Sequence, residues 1–253
     1  MVQYKFFKVV LPILFTIVAC ISIWVSELVF SDQVLYVALV SHIVLVILAF
    51  LGIVLTRLSF REAGVISPNL RYSLYWGFYL SLSVCLPAIA LAFLLHGLGY
   101  ASLRIQNLTI YVLLMTLFTS LALGGLCEEL FFRGFVQSSL NDVVGYKVSP
   151  IASGIIFGVA HLSNYVNPLT GVSSLNMNAI IWVLLSCFVG TFFGFLRRKS
   201  GDIYCPALFH GLQDFTLSTM SILKYSMPVI SLGIGWLIFL TITYRQFIKS
   251  SPR

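Results

Sequence analysis

Long apolar runs restrict this chain to folds that lie in a lipid bilayer. Residues 34–56, for example, contain no acidic or lysine side chain, and comparable runs recur along the sequence. An α-helix needs about 20 apolar residues to cross the hydrocarbon core, where the backbone must satisfy its own hydrogen bonds. The chain is 9% charged and 59% hydrophobic, whereas soluble domains carry about 25% charged residues. We therefore expect an all-α, polytopic membrane protein without a sizeable soluble domain.

The apolar pattern predicts eight transmembrane helices that form a single transmembrane domain over residues 1–253. They are drawn at residues 9–29, 34–56, 74–95, 109–139, 149–163, 178–196, 203–220 and 228–247. The fourth is long and is expected to tilt or to extend past the bilayer, and the fifth is short. No internal repeat of the kind found in many secondary transporters is visible, which disfavours a transporter.

The distribution of lysine and arginine predicts that both termini are cytoplasmic. In that orientation the outer segments hold only Arg104 and Lys224. The cytoplasmic segments hold Lys5, Lys8, Arg57, Arg61, Arg71, Lys147, Arg197, Arg198, Lys199, Arg245, Lys249 and Arg253. This asymmetry follows the positive-inside rule. It also accounts for the net charge of +7, so no nucleic-acid partner is expected.

Two adjacent glutamates, Glu128 and Glu129, lie inside the fourth apolar run. A carboxylate at bilayer depth costs at least about 2.5 kcal/mol, so such groups are retained when they are paired or functional. Glu129 and Arg133 are spaced i,i+4 and can pair on one helix face. Two close carboxylates do not both ionise easily, and Arg133 can keep one of them ionised. One glutamate can therefore serve as a general base near neutral pH.

Two later apolar runs each carry a histidine with a partner at helical spacing. Phe157 precedes His161 by four residues, and His210 precedes Asp214 by the same interval. The Asp214 carboxylate can orient or charge the imidazole of His210. A glutamate base beside a histidine can activate water for attack on a carbonyl, and a charged histidine can stabilise the resulting oxyanion. This set of residue types favours peptide hydrolysis.

Other polar or small residues are interpreted structurally. His42 and His96 have no partner at helical spacing and are assigned structural or interfacial roles. Gly190 and Gly194 form a small-xxx-small pattern that predicts close helix packing. The outer segment 163–177 is polar but uncharged, and it predicts a loop over the site.

The motifs, taken in order, resemble those of the CAAX-protease and bacteriocin-processing (CPBP, or Abi) family of intramembrane proteases. They read Glu128-Glu129-x-x-x-Arg133, Phe157-x-x-x-His161 and His210-x-x-x-Asp214. The resemblance covers about residues 120–216 and implies a CAAX-protease-like bundle of eight helices, with a catalytic core at about 109–220. It also implies that Glu128 activates water with help from His161, and that His210 and residue 214 form the oxyanion site.

Asp214 departs from the pattern of the CAAX endopeptidases in this family, which tend to have asparagine there. An anion beside an oxyanion is unfavourable, so three alternatives are open for this residue. In the first, His210 is fully protonated and screens the Asp214 charge. In the second, Asp214 is neutral, and in the third, Asp214 binds a metal.

The sequence thus favours an intramembrane endopeptidase, a hydrolase acting on a membrane-associated peptide or protein. The expected partners are membrane lipids and a hydrophobic or lipid-modified substrate, in a bacterial plasma membrane. No cofactor is certain; if zinc or another divalent metal binds, the ligands expected are Glu128, His161 and His210, although no HExxH pattern is present. Two other classes stay open, namely a non-proteolytic scaffold or bacteriocin-immunity protein of the same fold, and a proton-coupled transporter.

Overall fold

The computed structural model is helical apart from one short hairpin, and it describes residues 2–30, 33–103, 109–225, 228–239 and 243–250. The helices of these ranges are α1 (Val2–Val29), α2 (Val34–Leu55), α3 (Leu70–Gly97), α4 (Ile110–Val144), α5 (Ser149–Ala160), α6 (Met177–Ser200), α7 (Tyr204–Ile222), α8 (Pro228–Ile238) and α9 (Tyr244–Lys249). A 3₁₀ turn (His161–Asn164) leads into strands β1 (Val166–Asn167) and β2 (Val172–Ser173), which pair antiparallel.

Several helices are long and apolar enough to cross a membrane. Among the described residues these are Lys5–Val29, Leu35–Leu55, Leu70–Gly97, Ile110–Val144 and Met177–Ser200. Large apolar side chains on them face outward, since Val54, Phe93 and Leu184 are each more than half exposed. Such exposure is unfavourable in water and is expected of lipid-facing positions. The protein is therefore an all-α multi-pass membrane protein, as the sequence predicted.

The predicted eight spans exceed the five that meet this length and hydropathy. Helix α5 has 12 residues and rises about 18 Å, which is less than the about 30 Å of hydrocarbon. Helix α7 has 19 residues but carries polar side chains in its second half. Helix α8 covers the first part of the predicted span 228–247, in which residues 240–242 lie outside the described ranges. The count of eight spans and the orientation of the termini stay predictions, and Arg104 and Arg253 also lie outside the described residues.

Polar side chains define where three of the helices begin. Asn69, Thr109 and Asn176 each accept a hydrogen bond from the backbone N–H three residues later, at the starts of α3, α4 and α6. Such N-caps satisfy backbone donors that the first helical turn leaves unpaired.

The chain forms two compact units. One consists of Met1–Pro68 and Cys127–Ile203, and the other of Asn69–Leu126 and Tyr204–Arg253. The boundary thus falls within the sequence of α4. The single transmembrane domain stays a prediction, because one helical bundle can contain two such units.

In the first unit, helices α5 and α6 approach each other through glycines. A Cβ added at Gly190 would lie 3.2 Å from Gly154 Cα, and one added at Gly194 would lie 2.9 Å from Pro150 Cα. Neither position has space for a side chain. The close packing predicted from Gly190-x-x-x-Gly194 is confirmed.

The loop between α2 and α3 is tied to two helices of the first unit. Arg197 on α6 is buried and donates hydrogen bonds to the carbonyl oxygen of Glu62 at 2.5 Å and to Ser138 Oγ at 3.4 Å. Ser138 on α4 donates to the same carbonyl oxygen at 3.0 Å. Arg197, which was predicted to be one of the cytoplasmic basic residues, therefore also holds this loop in place.

In the second unit, α3 packs against α7 and α8. A Cβ added at Gly77 would lie 2.8 Å from the carbonyl oxygen of Cys205 on α7. Gly235 on α8 likewise faces the carbonyl oxygen of Val84. These glycines let the backbones meet, which fixes the position of α7 within this unit.

Candidate active site

The helix that carries the two glutamates is wound more widely than an α-helix on either side of them. Within α4, Ser120–Cys127 and Leu130–Gln137 are π-helical, and Glu128 and Glu129 lie between these segments. The sequence predicted a long span over residues 109–139 that tilts or extends past the bilayer. The helix runs on to Val144, and its π-helical winding was not predicted. π-Helical turns are rare and occur frequently at functional sites. Such turns shift side chains around the helix, so the contacts of Glu128 with other helices are set by packing rather than by a 3.6-residue repeat.

Glu129 and Arg133 form a fully buried ion pair in the first unit. Arg133 Nη1 donates to Glu129 Oε1 at 2.8 Å, and neither side chain is accessible to solvent. Arg133 Nη2 donates to the carbonyl oxygen of Gly190 on α6, also at 2.8 Å. The guanidinium carbon lies 4.6 Å from the centre of the Phe157 ring on α5, a cation–π geometry. The predicted pairing is present, and it holds α4, α5 and α6 together.

Glu128 instead lines a small cavity of the first unit together with His161. The cavity has a volume of about 70 Å³, which is sufficient for a few water molecules. The Glu128 side chain keeps 19% of its exposure, whereas Glu129 keeps none. The other lining residues are Ala19, Cys20, Ile23, Leu45, Phe132, Ala160, Ser163 and Asn164. A carboxylate from α4 and an imidazole from the end of α5 therefore share one largely apolar enclosure.

His161 is held in a defined orientation where α5 ends. It is the first residue of the 3₁₀ turn, and its Nδ1 lies 2.8 Å from the carbonyl oxygen of Phe157. A carbonyl oxygen only accepts hydrogen bonds, so Nδ1 carries the proton and Nε2 of the neutral ring carries the lone pair. The two rings are 4.5 Å apart between centroids, which confirms the neighbour expected from the i,i+4 spacing.

The segment that follows His161 is anchored to α1. Asn167 Nδ2 donates to Glu27 Oε2 at 2.8 Å, and Trp24 Nε1 donates to the carbonyl oxygen of Ser163 at 3.3 Å. Ser163 and Asn164 also line the cavity. The loop expected over the site is thus a 3₁₀ turn and hairpin fixed to the end of α1.

A histidine that sequence spacing left without a partner lies against Glu128. His42 Nε2 on α2 is 3.4 Å from Glu128 Oε1. The two residues lie on different helices, so no local spacing relates them. The sequence feature that could have singled out His42 is its place inside an apolar run, since an ionisable residue there is a functional candidate by default. The structure thus gives His42 a contact with an ionisable side chain that helical spacing did not predict, and its structural or interfacial role stays a prediction. His96, in contrast, contacts the carbonyl oxygen of Ala101 at 3.1 Å near the end of α3, as a structural residue would.

The second unit contains the remaining two predicted site residues. His210 Nε2 and Asp214 Oδ2 on α7 are 3.3 Å apart, with 6% and 33% of their side chains exposed, so the predicted pair is present. A Cβ added at Gly124 would lie 2.5 Å from Asp214 Oδ2, and one added at Gly125 would lie 3.2 Å from Gly211 Cα. Sequence reasoning gave Gly124 no role, although it sits four residues before Glu128.

The donor groups of the described residues do not form a ready metal site. No three His, Cys, Asp or Glu side chains among them cluster with metal-binding spacing. Glu128 and His161 are together in one cavity, and His210 belongs to the other unit. Ligation of zinc by Glu128, His161 and His210 stays a prediction that chelation can test.

Comparison with known proteins gives a family match that covers the segment containing these residues. Residues 109–216 match the family described as type II CAAX prenyl endopeptidase Rce1-like. The matched segment runs from the start of α4 to α7 and contains the motifs from Glu128 to Asp214. The resemblance to the CPBP family is thereby confirmed over this segment. No curated protein and no solved structure matches the chain.

Proposed function

We propose that this protein is an intramembrane endopeptidase that hydrolyses a membrane-associated peptide or protein. The observation that carries the proposal is the cavity among apolar helices in which Glu128 and His161 meet. A carboxylate and an imidazole around a space of water size are the groups needed for base-assisted attack on an amide. The match of residues 109–216 to a family of endopeptidases supports the same reaction class.

In the proposed reaction Glu128 is the general base. It takes a proton from a water molecule while the water oxygen bonds to the carbonyl carbon of the scissile peptide, and the carbonyl oxygen becomes an oxyanion. His161, whose Nδ1 is committed to Phe157, offers Nε2 to orient that water. When the intermediate collapses, the C–N bond breaks and the proton held by Glu128 passes to the leaving amine. The products are one carboxylate and one amine terminus.

His210 is assigned to the oxyanion, with Asp214 as its partner. The support for this role is the motif order in the matched segment and the 3.3 Å contact between the two side chains. A doubly protonated His210 can use one N–H for Asp214 and the other for the oxyanion. This is the first of the three alternatives for Asp214, and it needs no metal.

Glu129 and Arg133 are assigned a supporting role. Their buried ion pair has no exposure through which a substrate could be contacted. The contact of Arg133 with Phe157 ties α4 to α5, the helix that leads into His161, and its bond to Gly190 ties α4 to α6. The pair is therefore proposed to keep Glu128 and His161 in register.

The proposed substrate is hydrophobic or lipid-modified, because it has to reach a site among apolar helices. The matched family is named for prenylated CAAX substrates. For this chain we propose the broader class of membrane-associated peptides and proteins, in a bacterial plasma membrane.

The test compares peptides released from membranes that contain equal amounts of wild type, Glu128→Gln or Glu62→Gln. Glu62 is a matched control, since its exposed carboxylate accepts hydrogen bonds from Ser59 in a loop outside the apolar helices. We expect products that disappear in Glu128→Gln and persist in Glu62→Gln. Identical peptide profiles in all three samples would overturn the proposal and favour a non-proteolytic scaffold.

Two further arms refine the same experiment. A chelator added to wild-type membranes abolishes the Glu128-dependent products if a metal is required, and leaves them unchanged if the side chains suffice. An internally quenched peptide ending in a prenylated cysteine, compared with its unprenylated twin, asks whether a prenyl group is part of the recognised substrate.

A further inference from the structure

The two adjacent glutamates have partners of different kinds. Glu129 faces Arg133, a permanent cation, at 2.8 Å. Glu128 faces His42 Nε2 at 3.4 Å. Both side chains keep some exposure, 19% for Glu128 and 17% for His42. The reaction proposed above gives His42 no role, although it is an ionisable side chain from another helix in contact with the proposed base.

The ring of His42 is oriented by its own helix. Its Nδ1 lies 2.7 Å from the carbonyl oxygen of Ala38, so Nδ1–H donates there and Nε2 is the atom directed at Glu128. Helix α2 is itself fixed on α4, because Gly52 packs directly against the ring of Phe135 with no space for a Cβ. The imidazole therefore reaches Glu128 from a rigid support.

The same arrangement occurs at His161. There too Nδ1 is bonded to the carbonyl oxygen four residues earlier, that of Phe157, at 2.8 Å. Glu128 consequently touches an oriented imidazole from α2 and shares its cavity with a second oriented imidazole from α5. In both rings the backbone fixes a proton on Nδ1. At His42, Nε2 must carry a proton as well when Glu128 is ionised, because two acceptors cannot hydrogen-bond to each other.

We propose that His42 is a positioning residue for Glu128, a role that rests on the proposed function. Contact of Nε2 with Oε1 restricts rotation of the carboxylate, so its basic oxygen keeps one orientation toward the cavity. The 3.4 Å separation is long for a hydrogen bond, but catalytic hydrogen bonds are often long before substrate binds and tighten in the complex. Misplacing a catalytic group by about 1 Å can cost about 10²-fold in rate, so a restraint of this kind has a measurable effect.

The first test measures the release rate of Glu128-dependent peptides from membranes with matched protein levels. His42→Leu removes the nitrogen atoms, His42→Phe does so while keeping a ring, and His42→Gln keeps an N–H donor. His96→Leu is the matched control, because His96 contacts only the backbone in the part of the chain described there. We expect the rate to fall about 10²-fold in His42→Leu and His42→Phe, to stay within about tenfold of wild type in His42→Gln, and to be unchanged in His96→Leu.

The overturning result is a wild-type rate in His42→Leu and His42→Phe, or a His42→Gln variant as slow as both. The first outcome would show that the His42 ring has no role in the reaction. The second would show that Glu128 does not depend on an N–H donor at this position. Only variants that are monodisperse in detergent enter the comparison, and the two apolar substitutions provide alternatives should one not fold.

A second test does not depend on peptidase activity. The infrared difference spectrum between wild type and Glu128→Gln isolates the carboxyl bands of Glu128. We expect His42→Phe to shift those bands, because it removes the partner of Oε1, and His96→Leu to leave them in place. Unchanged bands in His42→Phe would overturn the inference whatever the activity. Shifted bands in a protein that releases no Glu128-dependent peptide would instead mean that the proposed function has failed.

Discussion

Glu128 and Glu129 are adjacent in the chain, but their side chains lie in different environments. Glu129 is sealed from solvent beside Arg133, and its charge is neutralised in place. Glu128 lines a cavity and touches His42, a partner whose charge is not permanent. Access and partner type, rather than residue type, are therefore the basis on which we propose chemistry for Glu128 and support for Glu129. This division leads to separate predictions for the two carboxylates.

The first prediction concerns the buried ion pair. Arg133→Gln leaves the Glu129 charge uncompensated among apolar side chains, and we expect a loss of about 3–5 kcal/mol in stability. Thermal unfolding in detergent measures it, with Arg198→Gln, an exposed arginine of α6, as control. The double variant Glu129→Gln/Arg133→Met should recover most of the loss, since it removes both charges together. A double variant as unstable as Arg133→Gln would show that the ion pair is not the source.

The second prediction compares two adjacent glycines of the second unit. A Cβ at Gly124 meets only the flexible end of Asp214, whereas a Cβ at Gly125 lies 2.5 Å from the backbone oxygen of Ala207. Gly124→Ala should therefore keep its unfolding temperature but lose about tenfold or more in peptide release, because the carboxylate must leave its place beside His210. Gly125→Ala should lower the unfolding temperature. Equal unfolding temperatures and equal rates in the two variants would contradict this distinction.

At the scale of elements, the glycine contact between α5 and α6 decides where His161 lies. Gly154 faces the backbone nitrogen of Thr191, and Gly158 faces Cys187, with no space for a Cβ at either position. Helix α5 has few turns and ends at His161. Any displacement of α5 from α6 is consequently transmitted to the imidazole in the cavity.

The third prediction tests that contact. Gly154→Ala should destabilise the protein by about 1–3 kcal/mol, the usual cost of overpacking, and should reduce peptide release. Gly233→Ala is the control, because its Cβ meets nothing within 4 Å and alanine favours a helix. Thermal unfolding of both variants in detergent gives the comparison. A Gly154→Ala variant as stable as Gly233→Ala would mean that the helices separate without cost.

The sequence predicted those elements and pairs that depend on local pattern. Apolar runs predicted α1, α2 and α3, and the i,i+4 rule predicted the Glu129–Arg133 and His210–Asp214 contacts, since neighbours one turn apart are fixed by helix geometry. The π-helical winding of α4 and the contact between His42 and Glu128 escaped prediction. Both arise from packing between segments far apart in the chain, which periodicity within one segment does not encode.

At the scale of the whole molecule, the number of membrane spans depends on α5. Its 12 residues rise about 18 Å, and the 3₁₀ turn His161–Asn164 brings the total to about 26 Å, close to the about 30 Å of a bilayer core. If α5 and its turn cross, and α7 and residues 228–247 cross as predicted, the chain has an even number of spans and both termini share one side. The basic residue Lys147 before α5 and the uncharged segment 163–177 after it favour crossing from inside to outside.

The last prediction tests this crossing with two single cysteines at the ends of α5. Val148 precedes the helix and Leu169 follows it in the hairpin, and both side chains are about half exposed. A membrane-impermeant thiol reagent should label Leu169→Cys on intact cells and Val148→Cys only after permeabilisation. Wild type gives the background, which should be low because Cys85 and Cys205 are buried and the other three cysteines are partly buried. Labelling of both positions from the same side would mean that α5 enters and leaves the bilayer on one face. With the other seven predicted spans crossing, it would place the two termini on opposite sides.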